Sequence, residues 1–158
     1  AIPGAAAGAG LSLALACDMR IMSDNAIMTT AFAKVGFAGD YGGTWFLSQL
    51  VGSAKAREMY FLSDRVSAAE AERLGLANKV CSAESLMDET MAMAKRLEEG
   101  APLAYRYMKE NLNRALGGEV MDCMDLEVTH HTHTGESEDH KAATKAFVEK
   151  RPPVFSGR

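Results

Sequence analysis

Asp40 is the acidic residue of a segment that is otherwise rich in glycine and aromatic residues. The rings near it in the sequence are Phe32, Phe37, Tyr41 and Trp45. Aromatic rings exclude water, and desolvation disfavours the charged form of a carboxylate, which makes that carboxylate a stronger base. Aspartate is also among the residues that most often cap the amino end of a helix. The local pattern therefore leaves two roles open for Asp40, a general base and a helix N-cap.

A run of small residues near the start of the chain is a second candidate for chemistry. Residues 4–10 read Gly-Ala-Ala-Ala-Gly-Ala-Gly and precede an almost uniformly apolar stretch. Glycine lets a ligand approach the backbone, and the first N–H groups of a helix have no partner within it. The run predicts either a helix terminus that receives a polarised oxygen or a loop that packs a helix tightly against a sheet. The spacing disfavours nucleotide binding, because it fits neither the G-x-G-x-x-G nor the G-x-x-x-x-G-K-[ST] motif.

Two other polar groups have simpler interpretations. His130, His131 and His133, with His140 further on, lie in a polar segment that lacks the H-E-x-x-H spacing. We expect this segment to be a solvent-exposed corner and predict no metal site. Ser12 has no G-x-S-x-G elbow, and no histidine precedes residue 130, which disfavours a serine hydrolase. Its hydroxyl is expected to bond within its helix or to point into a cleft.

The elements that position these residues are predicted from periodicity and turn signals. A buried helix covers residues 11–17, and short strands cover 18–23 and 26–30. An irregular segment then leads to a helix that is predicted over 45–51. Residues 1–52 form a glycine-rich zone in which we expect the chemistry.

Residues 53–158 are predicted to be an almost wholly helical appendage. The helix over 54–62 is followed by a capping-box pattern, Ser67-x-x-Glu70, that begins another helix, and Gly75 ends it. A strand is predicted over 76–80. Further helices are predicted over 85–99, 102–116, 120–129 and 141–150, with the polar segment 130–139 between the last two.

Composition excludes several classes of function. The chain has 158 residues, of which 47% are hydrophobic, enough for one sizeable core. Its formal net charge of -4 provides no basic excess for nucleic acid. No apolar run approaches the roughly 20 residues that span a bilayer, so no membrane association is expected.

The cysteines indicate the redox compartment of the protein, and the first residues indicate that the chain belongs to a longer protein. Cys17, Cys81 and Cys123 are widely spaced, which is typical of reduced thiols and indicates a cytoplasmic protein. The chain begins at Ala1-Ile2-Pro3 in what resembles the end of an apolar strand. We therefore expect it to be a portion of a longer protein.

The motifs of the chain together resemble the crotonase superfamily, also called the enoyl-CoA hydratase/isomerase family. The resemblance runs over all 158 residues. It rests on four motifs in order: Gly4-x-Ala6-x-Gly8-Ala9-Gly10; Gly36-x-x-x-Asp40-x-Gly42-Gly43-Thr44; Arg65-Val66-Ser67-Ala68-x-x-Ala71-x-x-x-Gly75-Leu76; and Ala146-Phe147-x-x-Lys150-Arg151-x-Pro153-x-Phe155.

The resemblance implies an α/β fold, with part of a spiral of ββα turns in residues 1–52. Residues 53–158 would hold the remaining core elements and a helical trimerisation region, so a homotrimer or a dimer of trimers is expected. Enzymes of the family bind an acyl-CoA thioester and stabilise its enolate oxygen with two backbone N–H groups. Ala9, where most members carry glycine, would supply one of them, and a segment upstream of Ala1 the other. Coenzyme A belongs to the substrate, and no separate cofactor is implied.

Departures from the family pattern indicate which reaction to expect. Hydratases of the family use two glutamates, and the matching positions hold Ser12 and Phe32, neither of which exchanges a proton at neutral pH. Asp40 matches an aspartate of the branch that resembles epoxyphenylacetyl-CoA isomerase. The resemblance thus favours an isomerase in which Asp40 shuttles a proton. A hydratase that uses Asp40 alone and a non-catalytic acyl-CoA-binding protein are the alternatives.

The resemblance also implies contacts with the substrate. The acyl chain would lie in an apolar pocket, and the terminal helix would contact coenzyme A. The residues expected to bind substrate are Gly8, Gly10, Ser12, Phe32, Phe37, Trp45, Phe147 and Lys150.

Overall fold

A computed structural model describes every residue from Ala1 to Arg158. The chain forms two compact units, Ala1–Met91 and Ala92–Arg158. The first unit extends well beyond residue 52, where the change in composition placed a boundary. None of the helices combines the length and the apolar character that crossing a membrane requires.

Five short strands of the first unit pair into two small sheets. The strands are β1 (Ala6–Ala7), β2 (Ile21–Ser23), β3 (Ile27–Thr29), β4 (Val66–Ser67) and β5 (Lys79–Cys81). The first sheet has the order β1-β3-β4, in which β1 is parallel to β3 and β4 is antiparallel to it. The second sheet pairs β2 with β5 in parallel. The predicted strands at 18–23 and 26–30 are confirmed in shortened form.

The helices of the first unit lie between these strands and after them in the chain. They are α1 (Ala9–Leu15), a short 3-10 helix (Phe32–Val35), α2 (Gly43–Leu62), α3 (Ala68–Arg73) and α4 (Leu86–Glu98), which contains the boundary between the units. The two helices predicted at 45–51 and 54–62 form one element, α2, with a kink at Gly52, where φ is 75° and ψ is 162°. Only glycine adopts this non-helical combination of φ and ψ readily, so α2 consists of two helical segments that meet at Gly52, in agreement with the two predicted helices.

The core explains why the first unit extends past residue 52. Leu11, Met22, Met28, Leu47 and Leu76 are almost fully buried in one cluster. Further members come from the second half of α2 and from α3, namely Ala56, Met59, Ala68 and Ala71. Apolar side chains on both sides of the predicted boundary therefore leave water together, which ties these elements into one unit.

The second unit is helical. It contains α5 (Pro102–Ala115), α6 (Val120–Glu136) and α7 (Glu138–Val148). Pro102 occupies the first turn of α5, where a missing N–H costs no helical hydrogen bond. The Ser137 side chain caps α7 by accepting a hydrogen bond from the His140 N–H.

The prediction of an exposed polar corner at 130–139 holds for the exposure of most of these residues but is wrong for the backbone, which is helical, and for His130, which is buried. Helix α6 continues through the histidines to Glu136, and His130 is only 7% exposed. Its ring stacks on Tyr107, and its Nδ1 lies 2.5 Å from the Asn111 side-chain oxygen on α5. Packing between α5 and α6 thus provides partners that the local polarity of the segment did not reveal.

Candidate active site

The small-residue run forms the approach to α1. Gly8 is the N-cap of this helix, with a φ of 52° that a side chain would disfavour. Its N–H donates a hydrogen bond of 3.1 Å to the Thr29 carbonyl and so joins the helix start to β3. Ala9 is the first helical residue, and the N–H groups of a first turn have no acceptor within the helix. Gly10 follows at an exposed position.

Ser12, one turn into α1, faces Asp40. The Ser12 side chain is buried, with 1% exposure, and its Oγ lies 3.3 Å from Oδ1 of Asp40. The same hydroxyl lies 3.4 Å from the Gly8 carbonyl oxygen. An ionised carboxylate only accepts hydrogen bonds, so the hydroxyl donates when it bonds to Asp40. Both outcomes expected for Ser12, a bond within its helix and a contact in the site, are therefore available to it.

The backbone around Asp40 decides between its two possible roles. Helix α2 begins at Gly43, and its N-cap is Gly42, with no side-chain capping hydrogen bond. The Asp40 backbone carbonyl accepts a hydrogen bond of 2.9 Å from the Gly43 N–H, which closes a turn before the helix. The helix-cap interpretation is thus wrong. The carboxylate instead has a hydroxyl donor on another helix, an arrangement that suits a group that takes and returns protons.

The ring of Phe32 lies next to Gly8, at the start of α1. Phe32 is buried at the start of the 3-10 helix. A Cβ on Gly8 would lie 3.8 Å from its ring. Ser12 and Phe32, the two positions that match glutamates in the resemblance, therefore both lie in the immediate neighbourhood of Gly8.

Tyr60 also belongs to this site, although no motif in the sequence points to it. Its ring is parallel to that of Phe32, with the centroids 6.0 Å apart. Burial, together with the negative charge of Asp40, raises the pKa of the Tyr60 hydroxyl above its ordinary value, and the nearby Ser12 hydroxyl opposes this shift. Tyr60 lies in the second half of α2, beyond the kink at Gly52, so no local spacing links it to Asp40.

The aromatic enclosure expected for Asp40 does not form from the residues that were predicted. Phe37, Tyr41 and Trp45 are 71%, 67% and 48% exposed. Their rings lie largely in solvent, because the segment around Asp40 is a loop and the first exposed turn of α2. Phe37 and Trp45 as an acyl pocket thus remain a prediction.

The remaining predicted site residues lie in the second unit. Phe147 is strongly exposed near the end of α7, and Lys150 follows the helix with a φ of 53°. Their contact with coenzyme A remains a prediction. No three His, Cys, Asp or Glu side chains are grouped so that they could hold a metal ion.

Comparison with known proteins identifies the family. The chain matches the family described as Enoyl-CoA hydratase/isomerase over residues 1–158. The chain belongs to this family. It therefore shares the crotonase fold, an α/β architecture that is here mostly helical with few strands.

Individual members of the family show how far the similarity extends. The chain is 34% identical over 151 residues to a short-chain-enoyl-CoA hydratase of Clostridium acetobutylicum, covering 96% of this chain and 58% of that protein. It is 34% identical over 158 residues to the 1,2-epoxyphenylacetyl-CoA isomerase of Escherichia coli K12, covering all of this chain and 60% of that protein. The chain thus covers less than two thirds of the length of either family member.

Solved structures of the family superpose closely on the chain. A crystal structure of an enoyl-CoA hydratase from Polaromonas matches with a TM-score of 0.93 and 36% identity, and the match covers 97% of this chain and 60% of that one. Both hydratases and an isomerase thus occur among the similar family members, so family membership alone leaves the reaction open.

Proposed function

We propose that the full-length protein is an acyl-CoA isomerase in which Asp40 moves a proton between two carbons of the acyl chain. The observation that carries this proposal is the contact between the Asp40 carboxylate and the Ser12 hydroxyl, 3.3 Å apart, at the start of α1. Asp40 is the carboxylate of this site, and the two positions that resemble the hydratase glutamates hold a hydroxyl and a phenyl ring.

The reaction follows from proton balance. The Asp40 carboxylate removes a proton from a carbon next to the double bond or the thioester carbonyl, and the electron pair left behind forms the enolate of the thioester. The protonated Asp40 then returns the same proton to a different carbon, the double bond shifts, and the carboxylate is regenerated. A positioned acid or base of this kind contributes about 10²–10⁴-fold to a rate.

The enolate oxygen needs hydrogen-bond donors while the proton is in transit. In the proposed site, the backbone N–H of Ala9 is one such donor, because it belongs to the first turn of α1 and the helix itself supplies no acceptor for it. Donors of this kind are typically worth about 10²–10³-fold each. Gly8 and Gly10 on either side of Ala9 leave room for the thioester to approach the backbone.

A hydratase that activates water with Asp40 alone is the second candidate. The names of the similar proteins from Clostridium and Polaromonas favour it. The absence of a carboxylate at Ser12 and Phe32 weighs against it, because addition of water requires one group to activate the water and a proton donor for the other carbon. A non-catalytic acyl-CoA-binding protein is the third candidate.

Contacts with the substrate are part of the same proposal. Phe32, Phe37 and Trp45 would line the acyl pocket, and Phe147 and Lys150 would contact coenzyme A. Assembly into a homotrimer or a dimer of trimers is part of the same proposal.

The deciding experiment incubates the full-length protein with a 2-enoyl-CoA and with a 3-enoyl-CoA and follows the products by chromatography. The isomerase proposal expects migration of the double bond in the 3-enoyl thioester. Hydration of the 2-enoyl thioester without migration in the other would establish the hydratase instead. Turnover of neither, with measurable binding of both, would support the non-catalytic protein.

The role of Asp40 is tested with Asp40→Asn. We expect turnover to fall by about 10²–10⁴-fold, because the amide keeps the shape of the side chain but cannot take a proton. Asp24→Asn is the matched control, since Asp24 is an exposed aspartate in the turn between β2 and β3. Equal turnover of the two variants would remove Asp40 from the mechanism.

A further inference from the structure

Tyr60 carries a hydroxyl into the candidate site, and the proposed mechanism gives that hydroxyl no task. Its ring packs parallel to Phe32, and its edge lies against the loop before α2, where a Cβ on Gly39 would be 3.3 Å from the ring. The ring is therefore held on two sides. Such packing leaves little freedom in the direction of the hydroxyl.

Gly43 marks the point where the hydroxyls of Tyr60 and Ser12 converge. A Cβ on Gly43 would lie 2.8 Å from Oη of Tyr60 and 2.2 Å from Oγ of Ser12. Both hydroxyls thus occupy the space that a side chain at position 43 would need. The Ser12 hydroxyl in turn lies 3.3 Å from Oδ1 of Asp40.

The direction of these hydrogen bonds follows from what each group can donate. An ionised Asp40 only accepts, so Ser12 gives it its one proton. The Ser12 oxygen keeps its acceptor capacity and can take the proton of Tyr60. A phenolic hydroxyl ordinarily titrates at about pH 10, so Tyr60 is protonated at neutral pH and can donate.

Ser12 has an alternative acceptor, and this makes the Tyr60 hydroxyl important. Its Oγ also lies 3.4 Å from the Gly8 carbonyl. A rotation toward that carbonyl would leave Asp40 without its donor and would alter the angle at which the carboxylate meets a substrate carbon.

We propose that Tyr60 is a positioning residue, whose hydroxyl donates to Ser12 and thereby directs the Ser12 hydroxyl to the Asp40 carboxylate. This inference rests on the proposed role of Asp40 as the proton carrier. Tyr60 acts through Ser12 and itself exchanges no proton with the substrate. When Asp40 becomes protonated during turnover, the proton is carried on Oδ2, while Oδ1 continues to accept the hydrogen bond from Ser12 and keeps the acid aimed at the substrate.

The test replaces Tyr60 with phenylalanine in the full-length protein, which removes the hydroxyl and keeps the ring on Phe32. We expect kcat to fall roughly fivefold with KM changed by less than about twofold, the effect of one neutral hydrogen bond on orientation. Tyr105→Phe in α5 is the matched control, because it removes a tyrosine hydroxyl outside this site. It should leave kcat unchanged.

The pH profile separates positioning from a merely structural role. With one donor fewer behind the carboxylate, the pH at which kcat is half-maximal on the acid side should move upward by roughly half a unit in Tyr60→Phe. A lower kcat with an unmoved profile and a lower melting temperature would show that Tyr60 only supports the fold.

A double-mutant cycle tests the route through Ser12. If Tyr60 acts through Ser12, adding Tyr60→Phe to Ser12→Ala should produce no further loss of kcat. Additive losses would overturn this route. An inactive Asp40→Asn combined with an unaffected Tyr60→Phe would reject this inference alone, whereas an active Asp40→Asn would reject the proposed function.

Discussion

Gly43 shows how closely the groups around Asp40 are packed. It is buried at the first turn of α2, and the hydroxyls of Ser12 and Tyr60 lie where its side chain would be. The glycine is needed here for space, since its φ lies outside the left-handed region. A residue without a side chain therefore permits the contact between α1 and α2 on which the candidate site depends.

Gly43→Ala should accordingly damage the site. The new Cβ would collide with Ser12 Oγ, so the hydroxyl must move away from Asp40. We expect turnover in the full-length protein to fall by about tenfold or more, and stability to fall by roughly 1–3 kcal/mol, as is typical of overpacking. Assays of turnover and denaturant unfolding measure the two effects.

Gly135→Ala is the control for this substitution. Gly135 also lies in a helix, but nothing lies within 4 Å of a Cβ built there. Alanine should leave turnover unchanged and stabilise α6 by up to about 1 kcal/mol. Equal losses in the two variants would contradict the steric explanation.

At the residue scale, residue type was enough to choose Asp40 as a candidate, but not to predict which side chains pack around it. Asp40 could be chosen as a candidate because no other carboxylate lies near it in the sequence. Its neighbours Phe37 and Trp45 resembled an enclosure but are largely exposed, whereas Tyr60, far along the chain, contributes a ring and a hydroxyl. Distance along the sequence does not indicate which aromatic ring reaches a carboxylate.

Helix α7 shows how an element can hold the end of the chain. Asp139, in its first turn, accepts hydrogen bonds from the Ser156 N–H at 2.6 Å, the Ser156 hydroxyl at 3.1 Å and the Gly157 N–H at 2.9 Å. Its own N–H donates to the Arg158 carbonyl. The hydrogen bond from the Ser156 backbone is the main cause that lowers the pKa of Asp139, and the Gly157 N–H and Ser156 hydroxyl lower it further.

Acid should therefore release the terminal residues. Because the folded pKa is depressed, Asp139 contributes to stability above its unfolded value, near 3.9, and this contribution is lost as the pH falls through the folded pKa. Asp139→Asn should flatten the dependence of stability on pH below about pH 4. At neutral pH it should expose the last residues to carboxypeptidase.

Asp122→Asn is the control for the hydrogen bonds of Asp139 to the end of the chain. Asp122 is an exposed aspartate in the first turn of α6. It should change neither the acid dependence nor the rate of digestion. Identical digestion of Asp139→Asn and the unmodified protein would show that the carboxylate does not hold the terminus.

The ends of helices were predicted correctly where the residues that determine them lie close together in the sequence. The predicted cap at Ser67 is confirmed, because the Ser67 side chain accepts a hydrogen bond from the Glu70 N–H and α3 begins directly after it. The Glu70 carboxylate binds Arg73 rather than completing the capping box. Such a cap needs only residues within one turn. The polar histidine segment was misjudged because α6 continues through contacts on α5, which no local signal reports.

At the scale of the whole molecule, α6 has an exposed apolar stripe. Val120, Met124 and Val128 follow each other at intervals of four residues, so they share one face of the helix. All three are more than half exposed. An apolar face of this kind suits burial against another copy of the protein, in agreement with the proposed assembly.

Val128→Glu should weaken that assembly. A charge in an apolar contact pays a desolvation cost that no partner offsets, so we expect association to weaken by at least about tenfold. Light scattering on the full-length protein over a range of concentrations measures the mass. Thr129→Glu adds the same charge one residue further, outside the stripe, and should leave the mass unchanged.

Two results of the mass measurement would contradict the proposed assembly or the proposed contact. A full-length protein that remains monomeric at micromolar concentration would exclude the trimer. Equal masses of the Val128→Glu and Thr129→Glu variants would show that the stripe is not the contact.

By itself, the sequence determined the family, the order of most elements and the presence of a carboxylate at a glycine-rich turn, since motifs, periodicity and caps are properties of nearby residues. Only the tertiary structure decided that Asp40 contacts Ser12, that it does not cap α2 and that Tyr60 joins the pair. These contacts depend on how α2 packs across α1, and that packing is decided by apolar side chains spread from Leu11 to Leu76. Nearby residues in the sequence thus identify the groups that could do chemistry, whereas the packing of distant residues decides which of those groups meet.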